Sequence, residues 1–134
     1  PKRRPGRRLD AAFQQVRRDN AGAAYLLERG IEPPTWATFR LGCGERCGQA
    51  ASVMPWFRQG AVVALRYRVL KPPRGNDKMK AEPGSKFRSL FYGGQALLGA
   101  GESLRTLVLC EGELNAASIW QTAHAAGEPT GSTT

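Results

Sequence analysis

The stretch Thr106-Leu-Val-Leu-Cys110-Glu111-Gly112-Glu113-Leu-Asn115-Ala-Ala-Ser-Ile-Trp120 decides how the rest of the chain is read. Its first five residues carry no charge, the pattern of a strand buried on both faces in a parallel sheet. Leu114, Ala117, Ser118 and Trp120 then recur with a helical period, and Gly112 permits a sharp turn between the two elements. Glu111 is thereby expected at the carboxyl end of a strand, where open α/β sheets bind ligands. Asn115, four residues on, shares a helix face with it if the helix starts early. A carboxylate so placed suits a magnesium-type cation. An ordinary βα unit with solvated charges has the same pattern, and the helix macrodipole alone accounts for Glu113.

Composition bounds the rest. A chain of 134 residues with 41% hydrophobic and 8% aromatic residues is long and apolar enough for a real core. It has no apolar run long enough to span a bilayer and no signal-type segment at its N-terminus, so a cytoplasmic protein without a membrane partner is expected. Three cysteines argue against a secreted disulfide framework. The net charge of +9 points to a polyanionic partner. Lys2, Arg3, Arg4, Arg7 and Arg8 lie among Pro1, Pro5 and Gly6, so residues 1–8 read as a flexible basic arm, suited to salt-sensitive phosphate contacts or to a solubilising role.

Outward from the opening stretch, Asp10 and Asn20 are candidate caps for two helices, the first with Phe13, Val16 and Arg17, the second with Ala23, Ala24, Leu26 and Leu27 and a stop at Gly30. Pro33-Pro34 restarts the chain, and a short helix over Thr35 to Arg40 ends at Gly42. Trp36 and Phe39 on it are expected core anchors. Residues 51–57 read as a strand interrupted by Pro55, and residues 60–70 as a second strand with alternating sides. The Gln59-Gly60 turn joins them as a hairpin. Lys71 to Ser85, rich in Pro, Gly and Lys, reads as a mobile loop. Order is expected again from Lys86 to Tyr92, before the Gly93-Gly94 break and a connector through Gly99 and Gly101. Residues 127–134 read as a loop or an unfinished element.

The hydrophobic run followed by Glu-Gly-x-x-Asn-Ala resembles the first motif of TOPRIM domains, usually Glu-Gly-x-x-Asp-Ala. Upstream segments resemble the polymerase core of bacterial-type and phage DNA primases. They are Tyr25-Leu26-Leu27-Glu28-Arg29-Gly30-Ile31, Phe39-Arg40-Leu41-Gly42, Met54-Pro55 with Val63 to Arg68, and Lys86-Phe87-Arg88, in family order over roughly residues 20–123. The resemblance implies an α+β N-terminal subdomain over 9–103, followed by an incomplete α/β TOPRIM domain over 104–134. It implies a nucleotidyltransferase that makes RNA primers on single-stranded DNA from ribonucleoside triphosphates, of phage or mobile-element type, with a replicative helicase as a further partner. Glu111 and Asn115 match the metal motif for Mg2+ or Mn2+, with Glu111 also assisting proton transfer. Arg68 and Lys86 match basic-groove positions for template or nucleotide, Arg29 a nearby one, and Arg66 and Arg88 join them on looser grounds. Such cations neutralise phosphate charge while a metal bridges its oxygens. Phe87 and Tyr92 could stack bases, or pack in the core.

Two departures narrow that implication. Asn115 brings no charge to the motif, and the family's second metal motif, Asp-x-Asp on a later strand, is absent, so this chain is expected to bind rather than to polymerise alone. The alternatives are a non-catalytic single-stranded nucleic-acid-binding module and another TOPRIM enzyme, a nuclease before a topoisomerase. Cys43-Gly-Glu-Arg-Cys47 has no second cysteine pair, which argues against zinc. Ser118 lacks a Ser/His/Asp context, and no phosphate-cradling P-loop occurs.

Overall fold

The computed structural model describes residues 5–16, 21–75, 77–88, 90–94 and 106–127. Outside them lie Lys2 to Arg4 of the expected arm, Arg17, the Asn20 cap, the Gly99–Gly101 connector and the residues after 127. The described chain is an α+β fold, with helices α1 (Pro5–Gln14), α2 (Ala21–Glu28), α3 (Pro33–Phe39) and α4 (Glu113–Ala125) around strands β1 (Gly42–Arg46), β2 (Gln49–Arg58), β3 (Ala61–Val69) and β4 (Met79–Ala81). The sheet is antiparallel throughout, in the order β1-β2-β3-β4.

Two tight turns build it. Cys47 and Gly48 between β1 and β2, and Gln59 and Gly60 between β2 and β3, all have positive φ. Two consecutive left-handed residues match the right-handed twist of a two-residue hairpin, so both hairpins close without a loop. Proline does not interrupt β2. Pro55 lies opposite Leu65 of β3, but β1 pairs only with residues 49 to 53, so one side of Pro55 has no strand that needs its missing N–H.

Each sheet face has its own core. Leu9 of α1 packs with Ala51, Val53, Leu65 and Tyr67 on one face. On the other, Ala23, Leu26, Ile31, Trp36, Leu41, Cys43, Met54 and Ala117 bring α2, α3 and α4 onto the sheet, with Phe39 and Leu114 against them. Trp36 is buried as a core anchor, its indole Nε1 donating to the Ile31 carbonyl at 2.7 Å. Gln121 of α4 accepts from the Glu32 amide and the Thr35 hydroxyl and donates to the Gly30 carbonyl. The part of the chain expected to open a second domain therefore shares a core with the first.

Three further expectations need correction. Helix α1 takes in Pro5 to Arg8, part of the stretch read as a flexible arm, because proline is tolerated in a first helical turn whose N–H groups have no partner. The segment read as a mobile loop contains β4 and the buried Glu82. Most consequential, residues 106–110 are not a buried strand: Leu107, Val108 and Leu109 are 54, 55 and 70% exposed, and Cys110 is exposed too. Among the described residues no strand pairs with this segment. An apolar run signals a strand buried on both faces only where neighbouring strands are there to bury it.

Candidate nucleic-acid interface

Register fixes which side chains share a face. Arg66 lies opposite Met54 and Arg68 opposite Ser52, and Met54 belongs to the core under α2, α3 and α4. Both arginines therefore point to the face that bears α2, α3 and α4, two residues apart on β3. Their surroundings differ sharply.

Arg66 is neutralised from within. Its Nη1 stands 3.0 Å from Glu113 Oε1, and Glu113 is only 4% exposed at the first turn of α4. The guanidinium lies 4.5 Å from the Phe87 ring centre and 5.8 Å from that of Trp56, whose indole Nε1 also donates to Glu113. Sequence reading accounts for Glu113 by the macrodipole alone; here it clamps α4 to the sheet. Phe87 and Tyr92 are core groups. Phe87 packs edge-on against Trp56, and Tyr92 stacks on Phe39. Burial, and then the charge of Glu113, push the Tyr92 phenol well above the usual tyrosine range, and its hydroxyl has no hydrogen-bond partner among the described residues.

Arg68 meets Tyr25 of α2. Its guanidinium lies 5.8 Å from the ring centre, and that of Arg29 lies 5.7 Å from the same ring while donating to the Tyr25 hydroxyl at 3.3 Å. Spacing explains the helical half, since residues four apart stand one above the other. Among the described residues neither guanidinium has a carboxylate partner. Tyr25 was not a sequence candidate, because its role needs a neighbour on β3 that no local pattern announces.

A second tyrosine–arginine cluster, on the other face, supplies the contrast. There Arg46 covers the Tyr67 ring at 5.5 Å, and buried Glu82 accepts from Arg8, Arg46 and the Tyr67 hydroxyl at 3.2, 3.1 and 3.1 Å. Burial, and then the Glu82 carboxylate, push the Tyr67 phenol up to about 12. That cluster contains its own anion; among the described residues the Tyr25 cluster has none, and an anionic ligand would complete it in the same way. A groove of about 560 Å³ beneath α1, lined by Gln15, Glu45 and Tyr67 among others, has no cation in its lining among the described residues.

The remaining candidates fall into two groups. Lys86 and Arg88 are exposed, and the Lys86 amide donates to the Val63 carbonyl, which runs this segment beside β3 toward the β2–β3 turn. Glu111 and Asn115 are exposed at the start of α4, where the Asn115 amide donates to the Glu111 carbonyl. That bond leaves the Glu111 carboxylate and the Asn115 side-chain oxygen as oxygen donors. Two donors fit a Mg2+ that keeps waters and shares substrate phosphates, though not a closed protein cage. Among the described residues no three of His, Cys, Asp and Glu gather as a metal site.

No family model, curated protein or solved structure matches this chain. Among the described residues, no helix is long and apolar enough to cross a membrane.

Proposed function

We propose that this chain is the template-binding part of a DNA primase of the bacterial and phage type, with the first half of a TOPRIM metal site at Glu111. One observation carries the reading. The Arg66–Glu113 ion pair holds the Glu111 turn on the sheet face that also bears Arg68, Tyr25 and Arg29. Arg66 and Arg68 are roughly 7 Å apart along the strand. The turn that carries the Glu111 carboxylate thus lies on the same sheet face as an arginine pair with no carboxylate partner among the described residues, a combination of metal ligand and cations that phosphoryl chemistry uses.

In this reading Arg29 and Arg68 hold phosphates of the single-stranded DNA template or of an incoming ribonucleoside triphosphate. Tyr25 orients both guanidiniums. Glu111 and Asn115 hold Mg2+ or Mn2+, which when bound neutralises charge building up on phosphate oxygens. Glu113 fixes the turn and does not touch the metal, and Arg66, already paired, does not bind phosphate.

The test is ribonucleotide incorporation on single-stranded DNA with Mg2+ or Mn2+, in the longest natural form of the protein. Glu111→Gln should abolish incorporation and leave single-strand binding within about twofold of the wild type. Full activity in that variant would remove Glu111 from the site. The rival reading, a binding module without catalysis, is favoured by Asn115 standing where the TOPRIM motif has Asp. It predicts tight single-strand binding with no incorporation in either form.

A further inference from the structure

The described residues contain a second, separate concentration of positive charge, at the β2–β3 turn. Arg58, at the end of β2, donates from Nη2 to the Arg88 carbonyl at 3.3 Å, which joins the hairpin to the segment carrying Lys86 and Arg88. Arg40, the left-handed cap of α3, lies over the Phe57 ring at 4.8 Å on the same hairpin. All four cations are exposed, and among the described residues none has a carboxylate partner.

Three residues on from Arg88 stands Phe91, 71% exposed, the most exposed of the large hydrophobic side chains among the described residues. Its backbone is held between two turns, with the Leu90 amide bonded to the Phe87 carbonyl and the Gly94 amide to the Phe91 carbonyl. Its neighbour Tyr92 is packed against Phe39 and Trp56. An exposed aromatic ring on a fixed backbone, on the segment that carries Lys86 and Arg88, supplies both elements that single-strand binding uses: charge for phosphates and a π-face for a base. Ring faces serve every base, so the contact is sequence-tolerant. At the Tyr25 cluster the arginines cover the tyrosine instead, so phosphate contact is what that cluster offers.

We propose that the β2–β3 turn is a second contact for single-stranded nucleic acid, with Phe91 stacking a base and Arg58, Lys86 and Arg88 holding the flanking phosphates. The inference rests on the single-strand reading above and extends it. The two contacts lie toward opposite ends of β3, the Arg29–Arg68 pair at one and the turn at the other. The seven residue steps from Arg68 to Ala61 span roughly 23 Å, within the reach of a short single strand.

The test is equilibrium binding of labelled oligothymidylate to the full chain, with an abasic strand of equal length as the second ligand. Phe91→Ala should weaken oligothymidylate binding roughly tenfold, yet bind the abasic strand as the wild type does. Arg58→Ala with Arg88→Ala should weaken both ligands and reduce the slope of log affinity against log salt by about 1.4, the loss of two single-strand phosphate contacts. Phe91 is exposed, so its replacement should leave the thermal melt unchanged. Unchanged oligothymidylate binding by Phe91→Ala would overturn the proposal, as would heparin competing as well as the oligonucleotide, which marks a plain polyanion surface. Arg29→Ala with Arg68→Ala separates the two readings. Loss there with Phe91→Ala silent removes the turn site alone; loss at Phe91 with the double variant silent removes the Tyr25 cluster alone.

Discussion

Two clusters on opposite faces of one sheet are built from the same parts, a tyrosine and two arginines. On the α1 face Tyr67, Arg8 and Arg46 surround Glu82, and on the other face Tyr25, Arg29 and Arg68 surround no carboxylate among the described residues. The difference separates structure from function. Where the chain supplies the anion, the charges are consumed in holding β4 against β3 and α1 against the sheet. Where it does not, the field of two guanidiniums is open to an external anion, and it costs self-repulsion that a phosphate would relieve. Arg66 sits between the two cases, exposed to a third but already paired to Glu113.

The largest effect is expected from emptying the internal cluster. Glu82→Ala leaves Arg46 and the Tyr67 hydroxyl without their shared acceptor in a mostly buried setting, and should lower unfolding stability by about 3 kcal/mol in denaturant titration. Arg8 is largely exposed and adds little to that loss. If Glu82→Ala is as stable as the wild type, the two clusters do not differ in the way described.

A smaller effect, dependent on pH, comes from Tyr67. Its folded-state pKa is raised from 10.0 to about 12, so the neutral phenol is favoured in the folded protein. The stability this contributes is complete below about pH 10, where tyrosine in an unfolded chain ionises, and is lost as pH rises toward 12. Tyr67→Phe should therefore lose less stability than the wild type between pH 10 and 12, read by thermal melts across that range. Equal losses in the two proteins would show that Tyr67 is not held neutral by its surroundings.

Sequence was a good guide where periodicity and turn chemistry act locally. The apolar spacing of Ala23 and Leu26 marked α2, and Gln59-Gly60 marked the β2–β3 hairpin. It failed where partners decide. Strand β1 holds two glycines and two charges and survives because β2 pairs with it along its whole length. Strand β4 is three residues inside a Pro-, Gly- and Lys-rich stretch, and it is made by pairing with Arg66 to Arg68. Residues 106–110 have a buried strand's composition but, among the described residues, no neighbouring strand. At the candidate site, Arg29 and Arg68 were legible through resemblance, whereas Tyr25 and Glu113 were not. Each gains its role from a residue on β3 more than 40 positions away.

The central claim, that the Tyr25 cluster is open to phosphate and the Tyr67 cluster is closed, is tested most directly by the salt dependence of single-stranded DNA binding in paired variants. Arg29→Ala with Arg68→Ala should weaken binding at low salt by more than tenfold and reduce the slope of log affinity against log salt by about 1.4. Arg46→Ala removes a comparable charge from the closed cluster and should leave that slope unchanged. Equal slope changes per charge removed, whichever cluster loses it, would mean that DNA responds to net charge alone and would contradict the account.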